Sequence, residues 1–420
     1  MTLIFRKTIF TGFAPNLTGR DTRLALSYLL FPWKWSKINS GENVEAVERS
    51  LEKYFDVKKA CVFDSGRSAL LYALKSLDVS NENEVLVQGY TCMVVVNSIV
   101  QSGAKPIYVD VENDLNMSAQ DLEKKITPKS KVLIIQHTFG MPADVEKLMA
   151  IAKKHNLLVI EDCAHSFGAK LNGKLLGTFA DIGMLSFGAD KIVSSVRGGA
   201  LITNDLVLGE KIEEFQNQLQ RPNLLKTVQH LMHHPVFFVG KKLYHIYIGK
   251  ILLFVSQKLG IINKIIYDKE KRGEQTEFYP SKFANSLADI LLNQISEVDV
   301  INNHRKQISN YYDLNINNKK IGFTWDEKTK NGYDCIYLRY PILMDNSTEI
   351  FSFAKKRALI LGNWYDRVIV PGDIDFEKTK YVIGSCPNAE QLAKRAVNLP
   401  TDRHISMVDA KRIVEIVNSF

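Results

Sequence analysis

Short apolar runs separated by helix-length segments mark the first half of the chain. Four such runs, which predict strands, occupy residues 85–87, 106–110, 132–135 and 157–160. Between the last two, residues 145–155 place apolar side chains at the helical period and predict a helix. This alternation indicates an α/β core with a mostly parallel sheet, in which ligands bind at the carboxyl ends of the strands.

The second half of the chain predicts a different unit. Residues 294–312 have the pattern of a long helix that joins a large domain to a small C-terminal domain, with strands near 336–338 and 359–361. The expected boundaries are an amphiphilic N-terminal segment over 1–40, a large domain over 41–290 with an apolar and basic insertion at about 210–278, and a linking helix and small domain over 291–420.

A carboxylate and a downstream lysine are the strongest chemical signal. Asp162 follows the apolar run 157–160, and Lys191 follows by roughly one further strand. An amine that forms a Schiff base must be deprotonated and fixed, and an electron-sink cofactor needs a carboxylate at its pyridine nitrogen. Asp162 and Lys191 fit these two roles for pyridoxal phosphate (PLP). Taken singly, Asp162 would more often be the end of a buried strand and Lys191 one of many surface lysines.

A candidate phosphate site lies earlier in the chain. The apolar run 60–63 breaks at Asp64-Ser65-Gly66 and continues into a helical pattern over 68–74. Backbone amides at a helix N-terminus hold phosphate, and glycine permits close approach. A βα turn that uses glycine only for its geometry has the same pattern. This motif alone therefore does not distinguish a phosphate site from a turn without a ligand.

Seven motifs occur in one order along the chain. They are Ser65-Gly66-Arg67-Ser68-Ala69-Leu70, Gly103-Ala104-Lys105-Pro106 with Asp110, His137-Thr138-Phe139-Gly140, residues 161–169, residues 186–191, Gly198-Gly199 and Leu399-Pro400. In this order they resemble the DegT/StrS-type PLP-dependent sugar aminotransferases, which have the aspartate aminotransferase fold (fold type I). The resemblance is strong over 41–205 and thinner over 279–400.

The resemblance implies a fold, a reaction and partners. The implied fold is α/β, with a large PLP-binding domain around a mostly parallel sheet flanked by helices and a smaller C-terminal α/β domain. The implied reaction moves an amino group, usually from L-glutamate, to a keto-sugar, most often nucleotide-activated, for cell-surface polysaccharide, lipopolysaccharide or glycan synthesis. Related dehydratases replace the lysine with histidine, so Lys191 favours transamination. Sites of this type are usually shared within a homodimer.

The resemblance also assigns roles to individual residues. The catalytic pair is Lys191 and Asp162, and the residues assigned to the cofactor are Ser65, Gly66, Arg67 and Ser186 at the phosphate, His165 at the 3-oxygen, and Tyr90 or Cys92 at the ring. The residues assigned to the substrate are His137, Lys282 and Trp364.

Several of these positions depart from the family pattern. Arg67 stands where threonine is usual, and Cys92 stands where an aromatic residue is usual. Lys282 lies in a segment that usually reads Asn-x-Arg and reaches the neighbouring subunit, and Arg197 stands where the family often has glutamate. Whether Tyr90 or Cys92 meets the ring stays open. For Trp364, packing at a domain seam is the alternative.

Composition and cysteine spacing indicate the cellular compartment. The 420-residue chain is 45% hydrophobic, which is enough for a sizeable core. Its five cysteines show neither CxxC spacing nor a disulfide framework, and no zinc pattern is present. The N-terminus lacks the layout of a signal peptide. We therefore expect a cytoplasmic enzyme without a metal site.

Much of the net charge of +8 lies in the insertion. Residues 233–258 mix aliphatic and aromatic side chains with lysines, and 24–37 has a similar character with Trp33 and Trp35. The lysines interrupt the run before it reaches the ~20 apolar residues that spanning requires. Two interpretations remain, packing of these segments on each other or across a dimer interface, and peripheral association with the inner face of the membrane. Nucleic-acid binding is disfavoured because no known motif is present.

Two alternative functions follow from the same residues. One is a PLP enzyme that acts on another keto or lipid-linked substrate at the membrane surface. The other is a non-catalytic PLP-binding regulator, which the atypical Cys92, Pro280 and Arg197 would allow.

Overall fold

The computed structural model describes residues 7–12, 14–262, 264, 266–324 and 331–420, so parts of the predicted N-terminal segment and insertion lie outside it. The described strands are β1 (Ile9–Phe10), β2 (Lys59–Phe63), β3 (Glu84–Gln88), β4 (Thr91–Cys92), β5 (Lys105–Val109), β6 (Ser130–Gln136), β7 (Leu158–Asp162), β8 (Lys170–Leu171), β9 (Lys174–Leu175), β10 (Ile182–Ser186), β11 (Gly199–Thr203), β12 (Gly322–Phe323), β13 (Tyr333–Asp334), β14 (Tyr340–Leu343), β15 (Leu359–Ile360), β16 (Ile369–Val370) and β17 (Ala396–Leu399).

The described α-helices are α1 (Gly19–Leu30), α2 (Asn43–Phe55), α3 (Gly66–Ser76), α4 (Met93–Gln101), α5 (Ala119–Lys125), α6 (Val145–Lys154), α7 (Leu206–Gln218), α8 (Leu224–Lys242), α9 (Ile248–Lys258), α10 (Asp268–Lys271), α11 (Asn285–Ile295), α12 (Val298–Asn315), α13 (Ser347–Lys356), α14 (Phe376–Thr379), α15 (Pro387–Arg395) and α16 (Met407–Asn418). Short 3-10 helices occupy Pro32–Lys37, Thr138–Gly140 and Tyr244–Ile246.

A seven-stranded sheet forms the centre of the large domain, in the order β2-β11-β10-β7-β6-β3-β5. β11 pairs antiparallel with both neighbours, and the other pairings of the sheet are parallel. Its strands are apolar on both faces, as expected for a parallel sheet covered by helices on each side. The predicted fold class, α/β with a mostly parallel central sheet, is confirmed.

Helices bury both faces of this sheet. On one face α3 and α4 contribute Leu70, Leu74 and Val96 to a continuous apolar core. On the other face α2 and α11 contribute Leu51 and Leu291 to a second core. Since each face is closed by helices, the carboxyl edge of the parallel strands is the place where polar side chains collect.

The C-terminal part of the chain packs around a small sheet. β12, β14 and β17 form three antiparallel strands, and α12, α13 and α16 enclose a core with Tyr312, Ile342 and Ile413. β1, near the N-terminus, pairs in parallel with β15. The chain therefore crosses between the two halves more than once, and the exact domain boundaries stay a prediction.

Three helices form a layer beside the large domain. α1 packs on α8 with Gly19 near Phe238, and α9 packs on α8 with Gly240 against Leu253. Gln229 of α8 donates to the carbonyl of Gly260, 2.7 Å away, which fixes the far end of α9. Within the described residues, none of the helices is both long enough and apolar enough to cross a bilayer.

Candidate active site

A cavity opens at the carboxyl ends of β7 and β10, beside the turn between β2 and α3. The predicted site residues that line it are Ser65, Gly66, Arg67, Cys92, Asp162, His165, Ser186, Lys191 and Trp364. Residues outside that predicted set also line it, namely Gln136, Arg197, His230, His233 and Tyr365. The fold thus brings together most of the residues that the sequence analysis assigned to the cofactor.

Lys191 is held by its backbone. It lies in the turn after β10, where its amide donates to the carbonyl of Gly188 at 3.1 Å. The buried side-chain amide of Asn16 donates to the Lys191 carbonyl at 2.6 Å, and Arg305 donates to the Asn16 oxygen at 3.3 Å. Asn16 therefore connects the position of Lys191 to the helix α12, a contact that no sequence motif indicated.

The cavity favours the neutral amine of Lys191. Burial lowers the pKa of Lys191, against the opposing effects of Cys92 and Asp162. Burial also raises the pKa of Asp162, although its Oδ1 accepts from the amide of Ala164 at 3.0 Å. A neutral amine can act as a nucleophile, and a buried carboxyl group binds a nearby N–H strongly.

The turn between β2 and α3 is shaped to receive an anion. Ser65 caps α3, and its Oγ accepts from the amide of Ser68 at 3.3 Å. A Cβ on Gly66 would lie 3.0 Å from Ser186 Oγ, and a Cβ on Gly199 would lie 2.5 Å from Gly66 Cα. Only glycine permits these approaches. The positive end of α3 therefore lies at the cavity wall, beside Ser186.

Two arginines flank this turn. Arg67 forms an ion pair with Glu270. Burial, together with the repulsion of Arg197, lowers the pKa of Arg67 to about 10. Arg197 is buried, and its guanidinium lies 3.6 Å from the centre of the Tyr279 ring. The cavity wall beside α3 is therefore strongly positive.

The structure places Cys92, and not Tyr90, on the cavity wall. Tyr90 is fully buried and does not line the cavity. Its hydroxyl donates to the carbonyl of Tyr365 at 3.0 Å and accepts from the amide of Tyr365 at 3.1 Å. Tyr90 therefore holds Tyr365 in the wall, and of the two residues left open for the ring only Cys92 lines the cavity.

His165 lies where the resemblance predicts, after Asp162 at the end of β7. Its ring stacks on Phe139 with 5.8 Å between centroids, and its Nδ1 accepts from the Phe139 amide at 3.3 Å. Burial and the nearby Lys191 hold the pKa of His165 well below its usual range. His165 is therefore a neutral imidazole fixed in orientation.

His137 does not reach the cavity. It is fully buried, with Nε2 3.0 Å from Glu161 Oε1 and Nδ1 accepting from the Ala143 amide at 3.1 Å. Glu161 Oε2 in turn accepts from Phe179 at 3.0 Å. Cys163 lies close to both ring and carboxylate, but these hydrogen bonds occupy the atoms that a metal would need. The prediction that His137 binds substrate is corrected, since both ring nitrogens serve the core.

Trp364 lines the cavity, and Lys282 does not. Trp364 lies under the Arg339 guanidinium, which is 4.7 Å from its ring centre, and Arg339 lies 3.8 Å from Asp190. Lys282 lines a neighbouring small cavity with Asp64 instead. Its predicted contact with substrate does not occur within its own chain.

Residues from the insertion complete the cavity. His230 and His233 stand one turn apart on α8, and both face the cavity. Burial lowers the pKa of His233 to about 3, so its ring is neutral. The three-residue spacing of these histidines on a helical pattern was the signal that could have revealed them.

The residues present fit PLP. The glycine turn, the N-terminus of α3 and Ser186 would hold its phosphate, Asp162 would face its ring nitrogen, and Lys191 would meet its carbonyl carbon. Gly66 and Gly199 support this arrangement, because a Cβ at either position would press on Ser186 or on the backbone of the turn and push the turn out of shape.

Comparison with known proteins agrees with this geometry. The model of the DegT/DnrJ/EryC1/StrS aminotransferase family matches residues 33–243 and 260–418. The GDP-perosamine synthase of Escherichia coli O157:H7 is 28% identical over 414 residues, 97% of this chain and 97% of that protein. The UDP-N-acetyl-3-dehydro-alpha-D-glucosamine 3-aminotransferase of Acidithiobacillus ferrooxidans is 39% identical over 155 residues, 36% of this chain and 42% of that protein.

A solved structure shows the same fold. Helicobacter pylori PseC, an aminotransferase involved in the biosynthesis of pseudoaminic acid, has a TM-score of 0.73 at 20% identity. The match covers 99% of this chain and 98% of that one. The chain therefore belongs to the DegT/DnrJ/EryC1/StrS aminotransferase family and is a PLP-dependent aminotransferase with the type I fold.

Proposed function

We propose that this enzyme transfers an amino group from L-glutamate to a nucleotide-linked keto-sugar that serves the synthesis of a cell-surface polysaccharide, lipopolysaccharide or glycan. The observation that carries the proposal is the cavity itself, where Lys191 and Asp162 lie beside the glycine turn at the carboxyl edge of the sheet. The two relatives named above support the substrate class, because their names carry a GDP-linked and a UDP-linked sugar.

When bound, PLP supplies a carbonyl group that accepts amines and a ring that withdraws electrons. Lys191 would supply the amine that meets this carbonyl and would carry a proton to and from the substrate carbon. Asp162 would hold a proton on the ring nitrogen, which would keep the ring electron-poor. His165, which the Phe139 amide fixes in orientation, would contact the edge of the ring.

The outer part of the cavity suits a sugar on a charged carrier. Trp364 and Tyr365 offer aromatic faces that pack against a sugar ring and exclude water. Lys264 and His230 lie on the insertion side of the same cavity, where a diphosphate would meet positive or hydrogen-bonding groups. In this arrangement the sugar and its nucleotide diphosphate would bind at different parts of the cavity wall.

The absorbance spectrum is the first test of this proposal. We expect the wild-type protein with PLP to show a cofactor band that shifts when L-glutamate is added, and Lys191→Ala to lack this response. The converted protein should then aminate a keto-sugar from a panel of GDP-, UDP- and dTDP-linked compounds. A band that responds to glutamate but to no nucleotide-linked sugar would reject the substrate class, and an inert band would reject transamination.

We further propose that the helical layer rests on an anionic membrane surface. We define the basic-aliphatic patch as Leu224, Leu225, Ile248, Ile251, Phe254 and Leu259 with Lys250 and Lys258. The apolar members are between 53% and 75% exposed. Residues 215–267 contain seven lysines and arginines and no aspartate or glutamate. Such a surface complements acidic headgroups, each nearby cation contributing about 1 kcal/mol.

Two further observations support the patch. The match to the family model is interrupted over residues 244–259, which hold α9. Trp33 and Trp35 are 71% and 55% exposed on the 3-10 helix after α1. Asn39 donates to the carbonyl of Pro222 at 2.8 Å, so this segment meets the start of α8 near Leu224 and Leu225. Tryptophan beside lysine is favoured at headgroup depth.

Vesicle co-sedimentation tests the membrane proposal. We expect binding to phosphatidylcholine vesicles that contain phosphatidylserine, weaker binding without it, and a decline with salt. Lys250→Glu/Lys258→Glu should abolish binding, whereas Lys355→Glu/Lys356→Glu on α13 carries the same charge change elsewhere and should not. Absence of binding to either vesicle, or a patch variant that instead dissociates an oligomer, would overturn the proposal.

A homodimer remains part of the proposed function. Because Lys282 lies outside the cavity of its own chain, we propose that it reaches the cavity of a second copy. Mixed dimers of Lys191→Ala and Lys282→Glu chains should then regain activity that neither variant has alone. A chain that sediments as a monomer while active would exclude this arrangement.

A further inference from the structure

Arg197 is a buried cation without hydrogen-bond partners for two of its nitrogens. Only 7% of its surface is exposed, and within the described part of the chain Nε and Nη2 find no acceptor. The face of its guanidinium rests on Tyr279, which fixes the plane but satisfies none of the N–H groups. Burying such a group without an acceptor is unfavourable, so an acceptor is missing from the chain itself.

The backbone holds Arg197 in this position at a cost. Val196 has φ of +72°, a conformation that β-branched residues rarely adopt. Ser195 Oγ donates to the Arg197 carbonyl at 2.6 Å, and the Val196 amide donates to Ser194 Oγ at 3.1 Å. Strain of this kind persists where the surroundings enforce it, most often at ligand sites.

The position of Arg197 indicates where its missing hydrogen-bond acceptor would bind. Arg197 precedes Gly198-Gly199, and a Cβ on Gly199 would lie 2.5 Å from Gly66 Cα. Arg197 also lines the same cavity as Ser65, Gly66 and Ser186. The missing acceptor therefore belongs beside the N-terminus of α3, at the anion-binding turn.

The surrounding charges agree with an anion at this place. Arg197 and Arg67 repel each other, and Arg67 has Glu270 as its partner. Arg197 acts on the buried Asp64, whose pKa is raised by burial and lowered in part by Arg197. Asp64 Oδ1 accepts from the Ser281 amide at 3.3 Å, and no ion pair joins Asp64 to Arg197 among the described residues. A bound anion would relieve the repulsion of the two arginines.

We propose that Arg197 is a direct ligand of the PLP phosphate, which is the acceptor that its guanidinium lacks. The inference rests on PLP being the cofactor. In this chain the arginine ahead of the glycine pair completes the phosphate site from within the same subunit. The family often carries glutamate at this position, so the charge beside the phosphate site is inverted in this chain.

Binding of PLP and of pyridoxal, which lacks the phosphate, tests the proposal directly. Apoprotein would be titrated with each compound and followed by absorbance and tryptophan fluorescence, without any turnover assay. We expect Arg197→Gln to weaken PLP about 10- to 100-fold, the range of a charge-assisted hydrogen bond. Pyridoxal affinity should change less than about threefold, because the lost interaction is with the phosphate.

Two comparison variants sharpen the result. Arg197→Lys keeps the charge but not the planar fork, so it should recover part of the PLP affinity. Arg67→Gln should weaken PLP less than Arg197→Gln, because Arg67 is already paired with Glu270. Thermal unfolding of each apoprotein controls for folding. If Arg197→Gln does not fold, the increase in thermal stability that inorganic phosphate gives to the wild type and to Arg197→Lys is compared instead. We expect the smaller increase for Arg197→Lys.

Three outcomes would overturn the proposal. Equal losses for PLP and pyridoxal would mean that Arg197 only supports the structure. Unchanged PLP affinity with a raised KM for glutamate or for the sugar nucleotide would mean that Arg197 binds substrate. Equal stabilisation of the wild type and of Arg197→Lys by phosphate would mean that Arg197 does not contact the anion. A wild-type protein that binds no PLP would instead contradict the cofactor assignment, a result distinguishable from all three.

Discussion

The cavity and the basic-aliphatic patch are both basic, yet they place their charges in opposite surroundings. In the cavity, burial lowers the pKa of Lys191, and two nitrogens of Arg197 have no acceptor in the part of the chain that the structure describes. In the patch, Lys250 is exposed, and its ammonium lies 4.1 Å from the centre of the Tyr247 ring. Burying a cation without an acceptor costs free energy and indicates a specific ligand. Exposed cations are screened by salt and attract an anionic surface only as a group.

The same contrast exists between two buried arginines. Arg305 donates to the Leu338 carbonyl at 3.0 Å and to Thr401 Oγ1 at 2.9 Å, and it also reaches Asn16. Its hydrogen bonds join α12 to the small domain. Each of the two arginines has an Nε without a partner among the described residues, but Arg197 has in addition an Nη2 without one, so Arg305 stabilises the fold and we propose that Arg197 binds a ligand.

The largest expected effect is at the cavity. Lys191→Ala should lower turnover by about 10⁴-fold, because it removes both the nucleophilic amine and the proton carrier. Single-turnover kinetics with glutamate would measure this. Lys154→Ala, which removes an exposed lysine on α6, is the matched control. A loss below tenfold would mean that Lys191 does not perform the chemistry.

The two arginines should differ in stability. Arg305→Gln should lower the free energy of unfolding of the apoprotein by about 3 kcal/mol, because buried carbonyls lose their donor. Arg197→Gln should change it by less than about 1 kcal/mol, because no hydrogen bond of these nitrogens is lost. Urea unfolding of both apoproteins measures the difference. Similar losses would contradict the contrast drawn between them.

The pH dependence of cofactor loading should report on Lys191. Only the neutral amine reacts, so the loading rate should rise with pH through the pKa of Lys191 and then level off. Because burial lowers that pKa, the plateau should begin below the ordinary lysine value of about 10.4. Stopped-flow absorbance with constant salt would follow the rate. A rise that continues through pH 10 would mean that the folded protein leaves this pKa unshifted.

The smallest effect on stability should come from the patch. Lys250→Glu/Lys258→Glu should change the free energy of unfolding by less than about 0.5 kcal/mol, because both lysines are exposed. Thermal unfolding without lipid measures this quantity and separates it from the expected loss of vesicle binding. A large destabilisation would show that the patch packs on another part of the protein.

Much of the fold and part of the site could be predicted from the order of apolar runs and motifs along the chain. Asp162 and the Ser65-Gly66 turn follow apolar runs, and strand ends of a parallel sheet meet at one edge. Lys191 was found by its distance from Asp162 within a family-like order of motifs. These features are local or follow from parallel topology, so a pattern along the chain is sufficient to reveal them.

Other site residues depend on contacts that a linear pattern does not contain. Tyr90 and His137 have the residue types of a binding site, but their polar atoms are used by Tyr365 and Glu161. Asn16 carries no motif, and yet it holds the Lys191 backbone across 175 positions of sequence. Whether a polar atom is free for a ligand depends on which distant neighbour has already bound it.

By itself the sequence determined the fold class and the family and predicted roles for Lys191 and Asp162, because periodicity and motif order reveal these features. Only the tertiary structure decided that Cys92 rather than Tyr90 faces the cavity and that His137 belongs to the core. It also decided that Arg197 lines the cavity with two nitrogens that have no acceptor among the described residues. The physical reason is that burial and hydrogen-bond satisfaction are properties of three-dimensional neighbours, which the order of residues leaves unspecified.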